Sequence, residues 1–152
     1  MKKFIFKPEK LLDYKTKLLE NEKLALAALN AELAAVNGRI ADMTEAAFNC
    51  REELRDMQLG GGVTPATCKM YFRYEDFLKT EIQKARKLAA QLAHKIEKQV
   101  DVIKDLRLET KSLELLKEAK LKVYRKEEIK DNERQVEEYV NTSRLMHMGF
   151  ER

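Results

Sequence analysis

Tryptophan is absent from this 152-residue chain, proline occurs twice and glycine five times. A many-stranded fold needs turn residues every roughly 8–12 positions, and they are not there. Aromatics make up 7% and charged residues 37%, which leaves little apolar bulk for a thick core. No apolar run approaches the ~18 residues of a membrane-crossing helix. The basic start Met1-Lys2-Lys3 leads into only Phe4, Ile5 and Phe6, short of the roughly 7–15 apolar residues of a signal segment. The expected location is therefore the cytosol. Cysteine appears twice, as Cys50 and Cys68, and histidine twice, as His94 and His147. With neither Cys-x-x-Cys nor His-x-x-x-His present, a zinc site is not expected. In the cytosol both cysteines are expected as free thiols. Neither sign of charge dominates: the net charge is +4 and the signs are interleaved, the pattern of a solvated helix surface.

What remains suits long helices. One break stands out, Gly60-Gly61-Gly62-Val63-Thr64-Pro65. Glycines end a helix because they enter the left-handed conformation freely, and Thr followed by Pro is an N-cap with a first helical residue. The expected layout is a single coiled-coil hairpin over residues 1–152, with helix one about 8–59, a turn at 60–64 and helix two about 65–146. In helix one a seven-residue ladder runs through Leu12, Leu19, Leu26, Leu33, Ile40, Ala47 and Leu54. A second joins it at Leu29, Val36, Met43, Cys50 and Met57. Such a repeat specifies a left-handed coiled coil. Before Leu26 the second ladder carries Lys15 and Glu22, while Leu11, Tyr14, Leu18 and Ala25 lie on an adjacent face, so the seam is expected to drift or widen there. The seam of helix two reads Leu78, Ile82, Ala85, Ala89, Leu92, Ile96, Gln99, Ile103, Leu106, Leu113 and Leu116, and weakens past Lys117.

The short break folds the helices back as an antiparallel pair. With the turn centred at residues 61–62, Leu12 lies opposite Lys111. Residues past about 112 then have no partner in helix one and form a polar overhang of roughly 50 Å. The fold class is all-α, a long antiparallel two-helix coiled-coil hairpin with a C-terminal helical overhang. Cys50 and Cys68 are offset by about 7.5 Å along the axis, which disfavours a disulfide.

Catalysis finds no support. The glycine run lacks the Lys-Ser/Thr of a phosphate loop. Carboxylates are many, yet a thin hairpin has no deep pocket to shift their pKa values. No enzyme activity, cofactor, metal or small-molecule substrate is expected. The aromatics gather near the turn as Phe48, Tyr71, Phe72, Tyr74 and Phe77. They either pack the tip or form an anchor for another protein. Residues 69–111 are basic on balance, but acids intervene and nucleic acid is not the expected partner.

The opening Phe4-Ile5-Phe6-Lys7-Pro8-Glu9-Lys10-Leu11-Leu12-Asp13 resembles the F-x-F-x-L-E-K-[L/V]-L-D start of the FliJ family, small components of the flagellar type III export apparatus. The Lys/Glu/Ala-rich stretch through Ala28 and the turn near residue 60 also fit. So do the late Leu-Lys…Tyr region, Leu116-Lys117 with Tyr124, and the tail Asn132-Glu133-Arg134-Gln135-Val136-Glu137-Glu138. Pro8 stands where the family has Leu, and Glu137-Glu138 where it has Asp-Glu. The resemblance implies a coiled-coil stalk similar to the central stalk subunit of rotary ATPases. Its joined ends would enter the ring of the hexameric export ATPase and promote ring assembly and activity. Its flank would contact the cytoplasmic domain of the export gate, and it would bind export chaperones. Carried over on that resemblance, Phe4, Phe6, Leu11, Leu12, Glu133, Arg134 and Glu138 face the ATPase. By position relative to the turn, Phe48, Tyr71, Tyr74 and Leu78 face the gate or chaperones. The implied location is cytoplasmic, peripheral at the inner face of the membrane at the flagellar base, and the free protein is expected as a monomer. Three other readings stay open: the equivalent stalk of a virulence type III secretion system, a generic coiled-coil scaffold or prefoldin-like chaperone arm, and a nucleic-acid-binding hairpin.

Overall fold

The computed structural model describes residues 2–150. Two helices, α1 (Glu9–Leu59) and α2 (Pro65–Phe150), account for nearly all of them, and the fold is an all-α helical hairpin. The turn follows from local chemistry. The Gly60 amide donates to Asp56 O at 3.0 Å and closes the last turn of α1. Gly61 then takes φ +73°, a conformation in which an L side chain is strained. On the far side Thr64 Oγ1 accepts from the Thr67 amide at 3.3 Å, the N-cap bond, and Pro65 opens α2 where no donor is needed. At the other end of α1, Pro8 O accepts from Leu12 N at 2.9 Å, so proline stands at the helix entrance and not inside it.

The chain divides into two compact units, Glu20–Lys104 around the turn and Met1–Leu19 with Asp105–Arg152 around the free ends. In the turn unit the buried seam is Val36, Ala47, Cys50 and Leu54 from α1 against Leu78, Ile82, Leu92 and Ile103 from α2. Between them Leu26, Leu29, Leu33, Ile40 and Ile96 are half-buried. A seam between only two helices shields each side chain from one direction. A fully buried Leu or Ile contributes about 1.5–3 kcal/mol, and most seam positions here reach a fraction of that. Both cysteines are free.

Before Leu26 the seam keeps its spacing and widens onto the adjacent face at Leu18 alone, which is half-buried while Ala25 is exposed. Leu11 and Tyr14, on the adjacent face, are 47% and 61% exposed. The 3,4 spacing instead continues through Glu22 and Lys15, each paired with a residue of the opposite helix in its own unit. Gln99 Nε2 donates to Glu22 O at 3.0 Å and also to the Glu22 carboxylate. Lys15 Nζ lies 2.6 Å from Glu109 Oε2. A long polar side chain can hold a seam position when a partner meets it there, because its charge or dipole is then compensated. The Glu22–Gln99 pair, in the turn unit, falls within two residues of the register set by the turn.

Two further expectations are corrected in the terminal unit. Leu116 is outside the seam and 44% exposed. The 3,4 spacing from Leu106 runs through Thr110, Leu113 and Lys117, and Lys117 Nζ sits 2.8 Å from the Glu9 carboxylate. Nor does pairing stop at residue 112. The non-helical segment before α1 lies along α2, with Phe4 against Tyr124 and Phe6 buried, and so extends the covered part of α2 to Tyr124. The extra cover comes from extended chain, which the helix-to-helix register leaves out.

Thr110 is 6% exposed, and its hydroxyl has no hydrogen-bond partner among the described residues. Thr110→Val keeps the shape and removes the uncompensated polar atom. It is expected to stabilise the fold by about 1 kcal/mol, read as a rise of about 3 °C in Tm by circular dichroism. A fall in Tm would show that the hydroxyl is bonded.

Candidate functional site

The residues singled out from the sequence fall into two groups, one in each unit. In the terminal unit the Phe-x-Phe alternation places Phe4 and Phe6 on one side of an extended segment, as period two requires, and leaves Ile5 80% exposed. Phe6 is 6% exposed, with Lys120 Nζ 5.8 Å from its ring centroid. The Phe4 and Tyr124 rings are tilted by 54° with centroids 5.3 Å apart, a favourable aromatic arrangement. Tyr124 Oη donates to Lys2 O at 2.8 Å. The segment is thus a strap laid on α2 and held by two rings and one hydrogen bond. Leu12 is buried behind it and Leu11 is exposed. Glu133, Arg134 and Glu138 are exposed on the part of α2 beyond Tyr124. There Ile129, Val136, Tyr139 and Val140 also face solvent, so this stretch is less uniformly polar than its composition suggests. Ile129 and Val136, seven residues apart, line a shallow groove with Asn132, Glu133 and Glu137.

In the turn unit the four named residues do not share one surface. Leu78 is buried in the seam. Tyr71 is half-buried, donates from its hydroxyl to Glu53 Oε2 at 3.3 Å, and its carbonyl accepts the Cys50 thiol with Sγ 3.8 Å away. Burial pushes the Cys50 thiol up, with Glu75 and Glu53 adding to it. Burial and then the Glu53 carboxylate push the Tyr71 phenol up. Both therefore stay protonated and act as donors. Phe48, 59% exposed, walls a groove whose floor is Ala47 and Ile82 and whose rim carries Arg51, Lys79 and Arg86. Tyr74 stands five residues before Lys79, about 140° around the helix, and shares a separate hollow with Met70 and Tyr71.

The cluster that sequence reading missed is Arg51–Glu75–Lys79. Arg51 Nε bonds the Glu75 carboxylate across the seam, and Lys79 Nζ approaches the same oxygen at 3.7 Å. The i,i+4 spacing of Glu75 and Lys79 was a visible signal; the cross-helix partner was not. The Arg51 hydrogen bond holds the Glu75 carboxyl below its ordinary value of 4.5, against the upward push of partial burial. The strap was also missed as a packed element, and its signal was the alternation of Phe4 and Phe6. No cluster of His, Cys, Asp and Glu among the described residues is placed to hold a metal ion.

Both groups lie on an all-α helical hairpin. A family model described as Flagellar FliJ protein matches residues 7–145. The chain belongs to the FliJ family, components of flagellar type III export. Neither a curated protein nor a solved structure matches it. Among the described residues no helix is long and apolar enough to cross a membrane.

Two outcomes follow from this geometry. Glu75 has a lowered folded pKa, so its contribution is present above about pH 4.5 and is lost as pH falls through the lower folded value. Glu75→Gln is expected to flatten the loss of Tm on acidification between about pH 5 and pH 3; an unchanged acid limb would remove Glu75 from the account. Phe6→Ala is expected to cost about 3 kcal/mol locally and to free the strap. Amide exchange in residues 3–7 and around Tyr124 should then speed up while the turn unit keeps its protection. Uniformly faster exchange would mean that the strap supports the whole fold.

Proposed function

We propose that this chain is the stalk of the flagellar export ATPase complex. The observation that carries the reading is the family match over residues 7–145, together with a free helical end beyond Tyr124 that carries exposed apolar and charged side chains. The end formed by the strap and the last part of α2 enters the ring of the hexameric ATPase. Leu11, Glu133, Arg134 and Glu138 make the contact, while Phe4, Phe6 and Leu12 hold the two chain ends together behind it. Ring contacts bias the hexamer toward assembly and hydrolysis, and the seam transmits force to the export gate. Exposed Phe48 and Tyr74 are the side chains offered to the gate or to export chaperones, with Tyr71 and Leu78 fixing them from the seam. The work is done in the cytoplasm against the inner face of the membrane, and it needs stiffness and two docking surfaces, with no covalent chemistry.

The test is a titration of the full chain into the export ATPase of the same cell, following hexamer mass and hydrolysis rate together. About one chain per six ATPase subunits is expected to raise both, and Glu133→Arg with Glu138→Arg to reduce the effect by about tenfold, the scale of an interface charge reversal. No change in either readout overturns the reading.

A further inference from the structure

The chain carries two shallow apolar surfaces with opposite rims. One is the groove in the turn unit, with floor Ala47 and Ile82, wall Phe48 and rim Arg51, Lys79 and Arg86. The Glu75 carboxylate is shared by Arg51 and Lys79, so three cations face one anion and the rim stays positive. Arg86 has no ion-pair partner among the described residues. The other is the stripe in the terminal unit, where Ile129 and Val136 are 57% and 62% exposed and are rimmed by Glu133 and Glu137. The surrounding run Glu127-Glu128-Ile129-Lys130-Asp131-Asn132-Glu133-Arg134-Gln135-Val136-Glu137-Glu138 is acidic on balance. Neither Glu133 nor Glu137 has an ion-pair partner among the described residues.

An exposed helix with apolar residues seven apart fits a groove between two helices as a third strand of a coiled coil. Here both pieces come from the same sequence and their charges match. We propose that copies of this chain associate, the Glu133/Glu137 stripe of one copy seating in the Phe48 groove of the next, with its carboxylates against Lys79 and Arg86. The two surfaces differ, so the contact is heterologous, and mass rises with concentration, the monomer expected of the free protein being its dilute form. The stripe lies in the segment assigned above to the ATPase. An associated copy therefore has its docking end occupied, and association holds stalks in reserve until the ring competes for them. The contact itself rests on the rims and not on the ATPase reading, and its test contains no ATPase.

Full-length protein is followed by sedimentation velocity from about 1 to 500 µM, a range that captures weak association. The wild-type chain is expected to gain mass with concentration at low salt, and to lose about tenfold in apparent affinity at 0.5 M salt, where exposed charges are screened. Glu133→Lys with Glu137→Lys makes both surfaces basic, and Lys79→Glu with Arg86→Glu makes both acidic. Each double variant alone is expected to stay monomeric while keeping wild-type helicity. An equimolar mixture is expected to associate again, because each variant restores the complement of the other. A wild-type chain that stays monomeric throughout overturns the proposal. So does association that survives in either variant alone, or a mixture that stays monomeric.

Discussion

Everything in this molecule depends on a seam between two helices with no third element behind it. Val36 is the most deeply buried apolar residue, at 3% exposure, and no described side chain falls below 2%. Stability must then come from many partly buried positions and not from a few deep ones, because apolar stabilisation scales with the area removed from water. The same geometry explains why polar residues are tolerated in the seam. Glu22, Gln99, Lys15 and Lys117 stand at positions an enclosed core would reserve for apolar side chains. Each reaches a partner at the margin, where water meets whatever the partner leaves open.

These polar pairs also do something apolar contacts cannot. Leucines slide past one another at small cost, since one apolar neighbour resembles another. A Gln99 amide that meets Glu22, or a Cys50 thiol aimed at the Tyr71 carbonyl, exists in one register only. Arg51 with Glu75 near the turn and Lys117 with Glu9 near the strap extend the same logic in each unit. Burying a single polar group to fix register is the best attested use of such groups in coiled coils.

Much of the fold was legible in the sequence, and the reasons are particular. Gly61 and Pro65 each have one economical backbone role, so the turn could be read residue by residue. The ladder from Leu26 to Leu54 was legible because seven-residue spacing has one geometric meaning. Legibility failed where side-chain length decided the outcome. Lys15 and Glu22 read as a drift or widening of the seam because periodicity counts them as polar, while in space they are long enough to find Glu109 and Gln99. It failed again where extended chain mattered, since a helical register makes no provision for Phe4 and Phe6. Of the candidate surfaces, the exposed aromatics were visible as types but not as positions. Phe48 and Tyr74 look like one cluster in the sequence and lie in separate hollows.

The strap has a consequence for how the chain can vary. Its side chains alternate, with Phe4 and Phe6 inward and Ile5 outward. Pro8 is fixed as the entrance to α1 by its carbonyl bond to Leu12. Between these two anchors the Glu9 amide donates to Phe6 O at 3.1 Å, a tight turn that joins the strap to the first turn of α1. Losing or gaining one residue between Phe6 and Pro8 would break that turn and shift the point at which Phe6 meets α2. Length is therefore constrained here more tightly than composition: many apolar pairs could replace the two rings, but the turn that delivers them to the helix closes over a fixed number of residues.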